Sequence, residues 1–312
     1  MRRILLCQPR GFCAGVQRAV DAIDTLLDVA TEPVYVRKEV VHNRVVVEGF
    51  TSRGVKFIDE VEDAPPGSLL VFSAHGVSPQ VRRQARDLGH RFVDATCPLV
   101  TKVHREVRRF AELGCSILLV GHAGHEEVDG ILGHGGTSVH LIQTVADARA
   151  IQVTDVDNVA VVTQTTLSVS EAREIIAVLK ERFPVVREPA RRDICYATEN
   201  RQDAVRILAR QSQAIIIIGS QNSSNSQSLR NVARARGVPA YLVDERAALN
   251  RQWLTGIETL GVSAGASSPE SLVQTIVAGI QHLEPAFTSV ETVGDREPAM
   301  IFRPPEYPTA AK

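Results

Sequence analysis

The sequence predicts an α/β protein, built as three small α/β domains with largely parallel sheets in a pseudo-threefold arrangement. Three observations predict it. Short apolar runs alternate with helical patterns along the whole 312-residue chain, the order that lays helices against a parallel sheet. Many of the runs, such as ILLC, CSILLV and AIIII, are continuously apolar and do not alternate, as strands covered on both faces do. Cys13, Cys97 and Cys195 each end a short segment and open an amphipathic helix.

Taken in order, strands are expected at residues 3–7, 33–37, 55–58, 68–72, 91–93, 116–120, 139–142, 159–162, 214–218, 240–243 and 259–262. The helix after Cys13 carries Val16, Ala19, Val20, Ile23 and Leu27. The helix after Cys97 carries Leu99, Val100, Val103, Val107 and Phe110, and the helix after Cys195 carries Ala204, Val205 and Leu208. Spacings of three and four residues gather each set into one apolar stripe. Cys13 and Cys97 lie 84 residues apart, and Cys97 and Cys195 lie 98 apart, each interval the size of a small domain. Length alone implies roughly two domains, and the repeat raises this to three. They are expected at residues 15–97, at 98–194, and at 1–14 joined to 195–283. A Pro-rich tail at 284–312 follows, with a short strand at 299–302.

Between the strands and the helices lie polar turns: Val41-His42-Asn43, Ser73-Ala74-His75-Gly76, the run from Gly121 to Glu127, Thr163-Gln164-Thr165-Thr166, the run from Asn222 to Ser226, and the run from Ser263 to Ser267. In open α/β sheets ligands bind beyond the carboxyl ends of the strands, and each of these turns is expected there.

Composition excludes several classes. Lys and Arg number 35 against 36 Asp and Glu, a net charge of −1, so no global field draws the chain to nucleic acid or to an anionic membrane. Aromatics are only 4%, too few for a base-stacking RNA binder. The opening apolar run stops at Gln8-Pro9-Arg10, short of a signal peptide, and no stretch reaches the ~20 apolar residues of a membrane span. A cytoplasmic protein is expected. Five widely spread cysteines then argue against a disulfide framework.

Cys7 and Cys115 lie inside apolar runs and read as core. Cys13, Cys97 and Cys195 stand at helix starts, where a thiol pKa is lowered, and three matching positions point to one shared metal centre. Three thiolates suit zinc with an open fourth position or a cubane iron–sulfur cluster in which one iron lacks a cysteine. Spacing does not decide between them. Of nine histidines, His42, His75 and His125 occupy equivalent turns and suit metal or anion binding. His122 shares the turn of His125, and His90, His104, His134, His140 and His282 read as structural. Ser223, Ser224 and Asn225, with Thr165, Thr166 and Ser267, sit where helix-start N–H groups make an anion site. The same residue types also cap helices. Three such turns with three histidines favour a diphosphate pocket. Glu127 is the carboxylate placed to hold and deliver a proton. It reads also as a solvated helix-start acid favoured by the dipole, as the adjacent Glu126 does. No Walker A loop or Gly-x-Gly-x-x-Gly occurs.

Nine segments, PRGFCAGVQRA, YVRKEVVHNR, FSAHGVS, DATCPLVTKVH, GHAGHEEVDG, TQTTLS, DICYATENRQ, GSQNSSNS and GVSAGAS, together resemble the 4-hydroxy-3-methylbut-2-enyl diphosphate (HMBPP) reductase family over residues 1–283. The resemblance implies three α/β domains around a central 4Fe-4S cluster held by Cys13, Cys97 and Cys195, with the substrate hydroxyl at the iron not bound by cysteine. It implies that His42, His75, His125, Thr165, Ser223, Ser224, Asn225 and Ser267 bind the substrate diphosphate or lie beside the reacting group. Glu127 is then the proton donor, with Thr165 and His125 in the catalytic turns. Ferredoxin or flavodoxin is the implied electron donor. The chain departs from the family pattern at Glu126, where proline is usual, and at Glu199, where a small or neutral residue is usual. Two other classes remain open on the residues alone. One is a cluster-containing phosphometabolite-binding or redox-sensing protein, and the other is a three-cysteine zinc phosphoesterase.

Overall fold

A strand with no polar face needs cover on both sides, and the run AIIII has it. In the computed structural model, which describes residues 2–308, this run is strand β10 (Ala214–Ile218), every residue of it buried. Its sheet has the order β11-β10-β12-β1-β13, with β1 (Arg2–Cys7), β11 (Ala240–Val243), β12 (Thr259–Ala264) and β13 (Phe287–Val293). All its pairs are parallel. Alternate residues serve opposite faces. Ile4, Leu6, Ile216, Ile218 and Val262 pack under Val273, Ile276 and Ile280 of helix α10 (Glu270–Leu283). Leu5, Cys7, Ile215 and Ile217 pack under Val205 and Leu208 of α8 (Tyr196–Ala209) and Leu229 and Val232 of α9 (Ser224–Arg234). Each such isoleucine or leucine contributes about 1.5–3 kcal/mol of burial.

The chain divides into two compact units. The sheet just described belongs to the first, made of Met1–Val16, His42–Gly49 and Tyr196–Ile301. The second comprises Gln17–Val41, Phe50–Cys195 and Phe302–Lys312. Helices α1 (Ala14–Val29) and α2 (Arg44–Ser52) each carry residues of both.

The second unit holds two four-stranded parallel sheets. One has the order β3-β2-β4-β5, from β2 (Val34–Arg37), β3 (Lys56–Ile58), β4 (Leu69–Phe72) and β5 (Arg91–Asp94), with α3 (Pro79–Asp87) between the last two. Tyr35, Leu70 and Phe72 make its core with Ala85 of α3. The other has the order β7-β6-β8-β9, from β6 (Ser116–Val120), β7 (Val139–Ile142), β8 (Val159–Thr163) and the two-residue β9 (Val186–Arg187). Here too the faces split. Leu118, Val120 and Val161 pack on Ile175 and Leu179 of α7 (Val169–Arg182). Ile117, Leu119 and Val162 pack on Val103, Val107 and Phe110 of α4 (Pro98–Glu112) and Val128 and Ile131 of α5 (Glu126–Gly135). The short α6 (Val145–Ala150) opens on a capping box between Thr144 and Asp147.

Three parallel sheets with covering helices make the fold α/β. Two details differ from the sequence reading. Residues 284–312 are not simply a tail, because 287–293 add β13 parallel to β1, while the strand expected at 299–302 does not form. FTSVETV is mostly exposed edge strand and shows no apolar run, so its sequence carried no signal. In α1, Ala19, Ala22, Ile23 and Leu26 are the buried stripe, whereas Val20 and Leu27 are half-buried.

Candidate functional site

Each of the three singled-out cysteines is the residue before a helix start: Cys13 before α1, Cys97 before α4 and Cys195 before α8. All three are half-buried. Cys7 and Cys115 are fully buried, and burial pushes their thiols up, Cys7 to about 11. A helix start favours thiolate and a dry core opposes it, so the first three fit a thiolate-bound metal group and the other two do not.

Within the second unit the turns after β4, β6 and β8 bring one set of residues together. The Cys97 backbone N–H donates to the Ala74 carbonyl (3.0 Å), and the Cys195 N–H donates to the Thr165 carbonyl (3.1 Å). Each thiol is therefore tethered to a candidate substrate turn. Glu127 is 1% exposed. Its Oε1 accepts the Thr165 N–H at 2.7 Å and its Oε2 accepts the Thr165 hydroxyl at 3.0 Å. His125 caps α5 with its ring, Nδ1 accepting the Glu127 N–H at 3.1 Å. That nitrogen carries no proton, so Nε2 bears the proton of the neutral ring. His75 and His125 meet edge to face, with centroids 5.6 Å apart, and Glu126 Oε2 lies 3.1 Å from His75 Nδ1. His122, ambiguous in the sequence, is exposed, and its backbone N–H donates to Oε1 of the buried Gln164 (3.1 Å).

Within the first unit a second set forms at the ends of β10 and β12. The Cys13 N–H donates to the Ala266 carbonyl (3.2 Å), and the Ala266 N–H donates to Asn225 Oδ1 (2.8 Å). The Ser267 hydroxyl donates to the His42 carbonyl (2.9 Å). Ser223 caps α9, its oxygen accepting the N–H of Ser226 (3.3 Å) and the Ser226 hydroxyl (3.1 Å), and Ser224 follows as the first helical residue. Ser226 lies against Gly219 and Gly265, where a Cβ would fall 2.1 Å from its oxygen, so both strand ends need glycine for α9 to approach. Asn225 thus braces two turns, and Ser267 must redirect its proton to serve an anion.

Sequence reasoning missed two supports. Arg201 is 1% exposed and donates to the Gly11 carbonyl (2.8 Å), to the Phe12 carbonyl (3.4 Å) and to Glu297 (3.3 Å), so it grips the loop that carries Cys13. Nothing in NRQ marks that arginine as interior. Asp193 is buried, accepts from Lys102 Nζ (2.8 Å) and from the Thr163 N–H (3.0 Å), and steadies the approach to Cys195. Burial raises its carboxyl and Lys102 opposes that. In the first unit, burial first, then Cys13 and Glu297, push the Tyr196 hydroxyl up to about 12.

The chain matches the family described as LytB protein over residues 4–281. It is 50% identical to the 4-hydroxy-3-methylbut-2-enyl diphosphate reductase of Bordetella pertussis, over 97% of this chain and 93% of that protein. It is 48% identical to the enzyme of the same name from Chromobacterium violaceum, over 97% of each. The solved structure of the E-1-hydroxy-2-methyl-but-2-enyl-4-diphosphate reductase from Plasmodium falciparum superposes with a TM-score of 0.93 at 33% identity, covering 97% of this chain and 96% of that one. Likeness at this identity and coverage extends through all three sheets, and the chain belongs to the LytB family, the family of the 4-hydroxy-3-methylbut-2-enyl diphosphate reductases.

Proposed function

We propose that the chain reduces HMBPP to isopentenyl and dimethylallyl diphosphate, the last step of the non-mevalonate isoprenoid route. The family is one of iron–sulfur oxidoreductases. Cys13, Cys97 and Cys195 are assigned to a 4Fe-4S cluster with one iron not bound by cysteine. Such a cluster, when bound, supplies electrons and an iron position for the substrate hydroxyl. The three sheets are assigned one each to the domains at 15–97, at 98–194, and at 1–14 with 195–283.

The observation that carries the reading is the Glu127 carboxyl group, sealed from water and held by both its oxygens on Thr165. The reaction takes up two electrons and two protons, breaks one C–O bond, forms one C–H bond and releases water. A carboxyl group fixed at both oxygens presents its proton from one direction, which is what delivery to a leaving hydroxyl requires. The Thr165 hydroxyl, already donating to Glu127, links that carboxyl group to the reacting end. His42, His75 and His125 with Ser223, Ser224, Asn225 and Ser267 are assigned to the diphosphate, where ring N–H groups and the start of α9 suit anionic oxygens. Ferredoxin or flavodoxin is the proposed source of electrons. Among the described residues no helix is long and apolar enough to cross a membrane.

The test is anaerobic oxidation of reduced methyl viologen by the purified protein on addition of HMBPP. Dye consumption with both C5 diphosphates as products is the expected result. No consumption by protein verified to carry four irons and four sulfides would sink the assignment.

A further inference from the structure

Glu126 is the first helical residue of α5, and its side chain does not follow that of Glu127. Glu127 turns to Thr165. Glu126 turns to the β4 turn, where its Oε2 lies 3.1 Å from His75 Nδ1. The Ser73 hydroxyl completes the set. It accepts the His75 backbone N–H at 3.3 Å and donates to the same Glu126 oxygen at 3.4 Å. Ser73 is 2% exposed, and the side chains of His75 and Glu126 are 15% and 17% exposed. An ionised carboxylate only accepts hydrogen bonds, so the proton of this contact belongs to His75 Nδ1. With Nδ1 engaged, the ring plane is fixed and Nε2 points away from Glu126.

We infer that Glu126 is a positioning residue, holding the His75 imidazole through Nδ1 so that Nε2 is the nitrogen presented to a diphosphate oxygen. A carboxylate that orients a histidine by its other nitrogen is a general device for fixing tautomer and direction. The role assigned to Glu126 is orientation of His75, through the contacts its carboxylate makes with the His75 ring and the Ser73 hydroxyl. The inference rests on the reductase reading only for the identity of the diphosphate.

The test uses holoenzyme purified without oxygen, as wild type and as Glu126→Ala, Glu126→Pro and Glu126→Gln. Proline is tolerated at a first helical position, so Glu126→Pro removes the carboxylate and keeps the helix start. KM for HMBPP is read against kcat, and the Kd of inorganic pyrophosphate is read by calorimetry. The Ala and Pro variants should raise both constants about tenfold, the scale of one charge-assisted hydrogen bond, with kcat within about twofold. The Gln variant, whose amide oxygen accepts the same N–H, should recover more than half of the loss. Wild-type binding in the Ala and Pro variants, or a Gln variant no better than Ala, overturns the inference. Nitrogen-15 NMR of the His75 ring gives a readout independent of binding. A protonated Nδ1 in wild type that is lost in Glu126→Ala supports the assignment, and identical ring signals overturn it. Wild-type protein that consumes no HMBPP removes the reductase reading instead, and the pyrophosphate and NMR readouts still judge Glu126.

Discussion

At the scale of single residues, the carboxyl group of Glu127 is closed off from solvent and held by Thr165 through both oxygens. Replacing it with Gln preserves shape and removes the transferable proton. Glu127→Gln should keep its iron and sulfide content and lose at least about 100-fold in kcat, the usual weight of a general acid. Steady-state dye oxidation beside metal analysis checks this. Arg201 carries a different burden. Its guanidinium is interior and holds Gly11 and Phe12 by their carbonyls, so Arg201→Met leaves those oxygens and Glu297 without their cation. Losing one partner of a buried ionic network costs about 3–5 kcal/mol. The variant should unfold at lower urea and release iron to a chelator faster than wild type. These two residues also differ in how far the sequence singles them out. Glu127 stands out in sequence because it sits at a helix start beside a histidine, and the structure buries it against Thr165. Arg201 does not, because a helical arginine between polar neighbours looks the same inside or outside until the loop it grips is in place.

Between elements, the Asp193–Lys102 pair ties the segment before Cys195 to α4. Lys102→Met strands a buried carboxylate and should cost roughly 3 kcal/mol, with Asp193→Asn in the same chain restoring part of it. The deficit of Lys102→Met should shrink at low pH, since a protonated Asp193 no longer needs a cation. A second pair joins α4 to α5. The rings of His104 and His134 lie against each other, centroids 4.0 Å apart and planes tilted by 31°. Burial first, then neighbouring positive charge, lowers His104 to about 3 and His134 to about 4, from an ordinary 6.5. Both rings are neutral in the folded chain, while the unfolded chain takes up their protons near pH 6.5. Their contribution to stability is therefore complete above that pH and is lost as the pH falls towards 4. Urea midpoints across this range should fall, and the fall should be smaller in His134→Gln. The elements themselves were legible wherever apolar runs were continuous, as at Ser116–Val120 and Ala214–Ile218, which form strands with the expected bounds. The edge strands β9 and β13 were not, because a strand with one side in solvent needs few apolar residues.

For the whole molecule, three parallel sheets and the joining of the first residues to those after Cys195 could be foreseen from the alternation of runs and helices and the cysteine repeat, but the inclusion of His42–Gly49 in the first unit, and the strand order within it, could not. Hydrophobic pattern reports which side of a strand is covered, not which strand lies beside it. In that unit β1 lies between β12 and β13, and Arg3 finds its partner Thr259 at a separation of 256 residues. Contacts so distant in sequence are slow to form, because a long loop must close before they reward it. A ribosome adding roughly 5–20 residues per second needs on the order of ten seconds or more to supply that partner. During that interval β1 is an apolar strand with both edges open, exposed to chaperones and to aggregation. The loop that bears Cys13 leaves directly from β1 and bonds to the Ala266 carbonyl, so its thiol is placed only after β12 and the turn beyond it have been made. Stalled chains ending before residue 259 should stay protease-sensitive at residues 2–16, and released full-length chains should not.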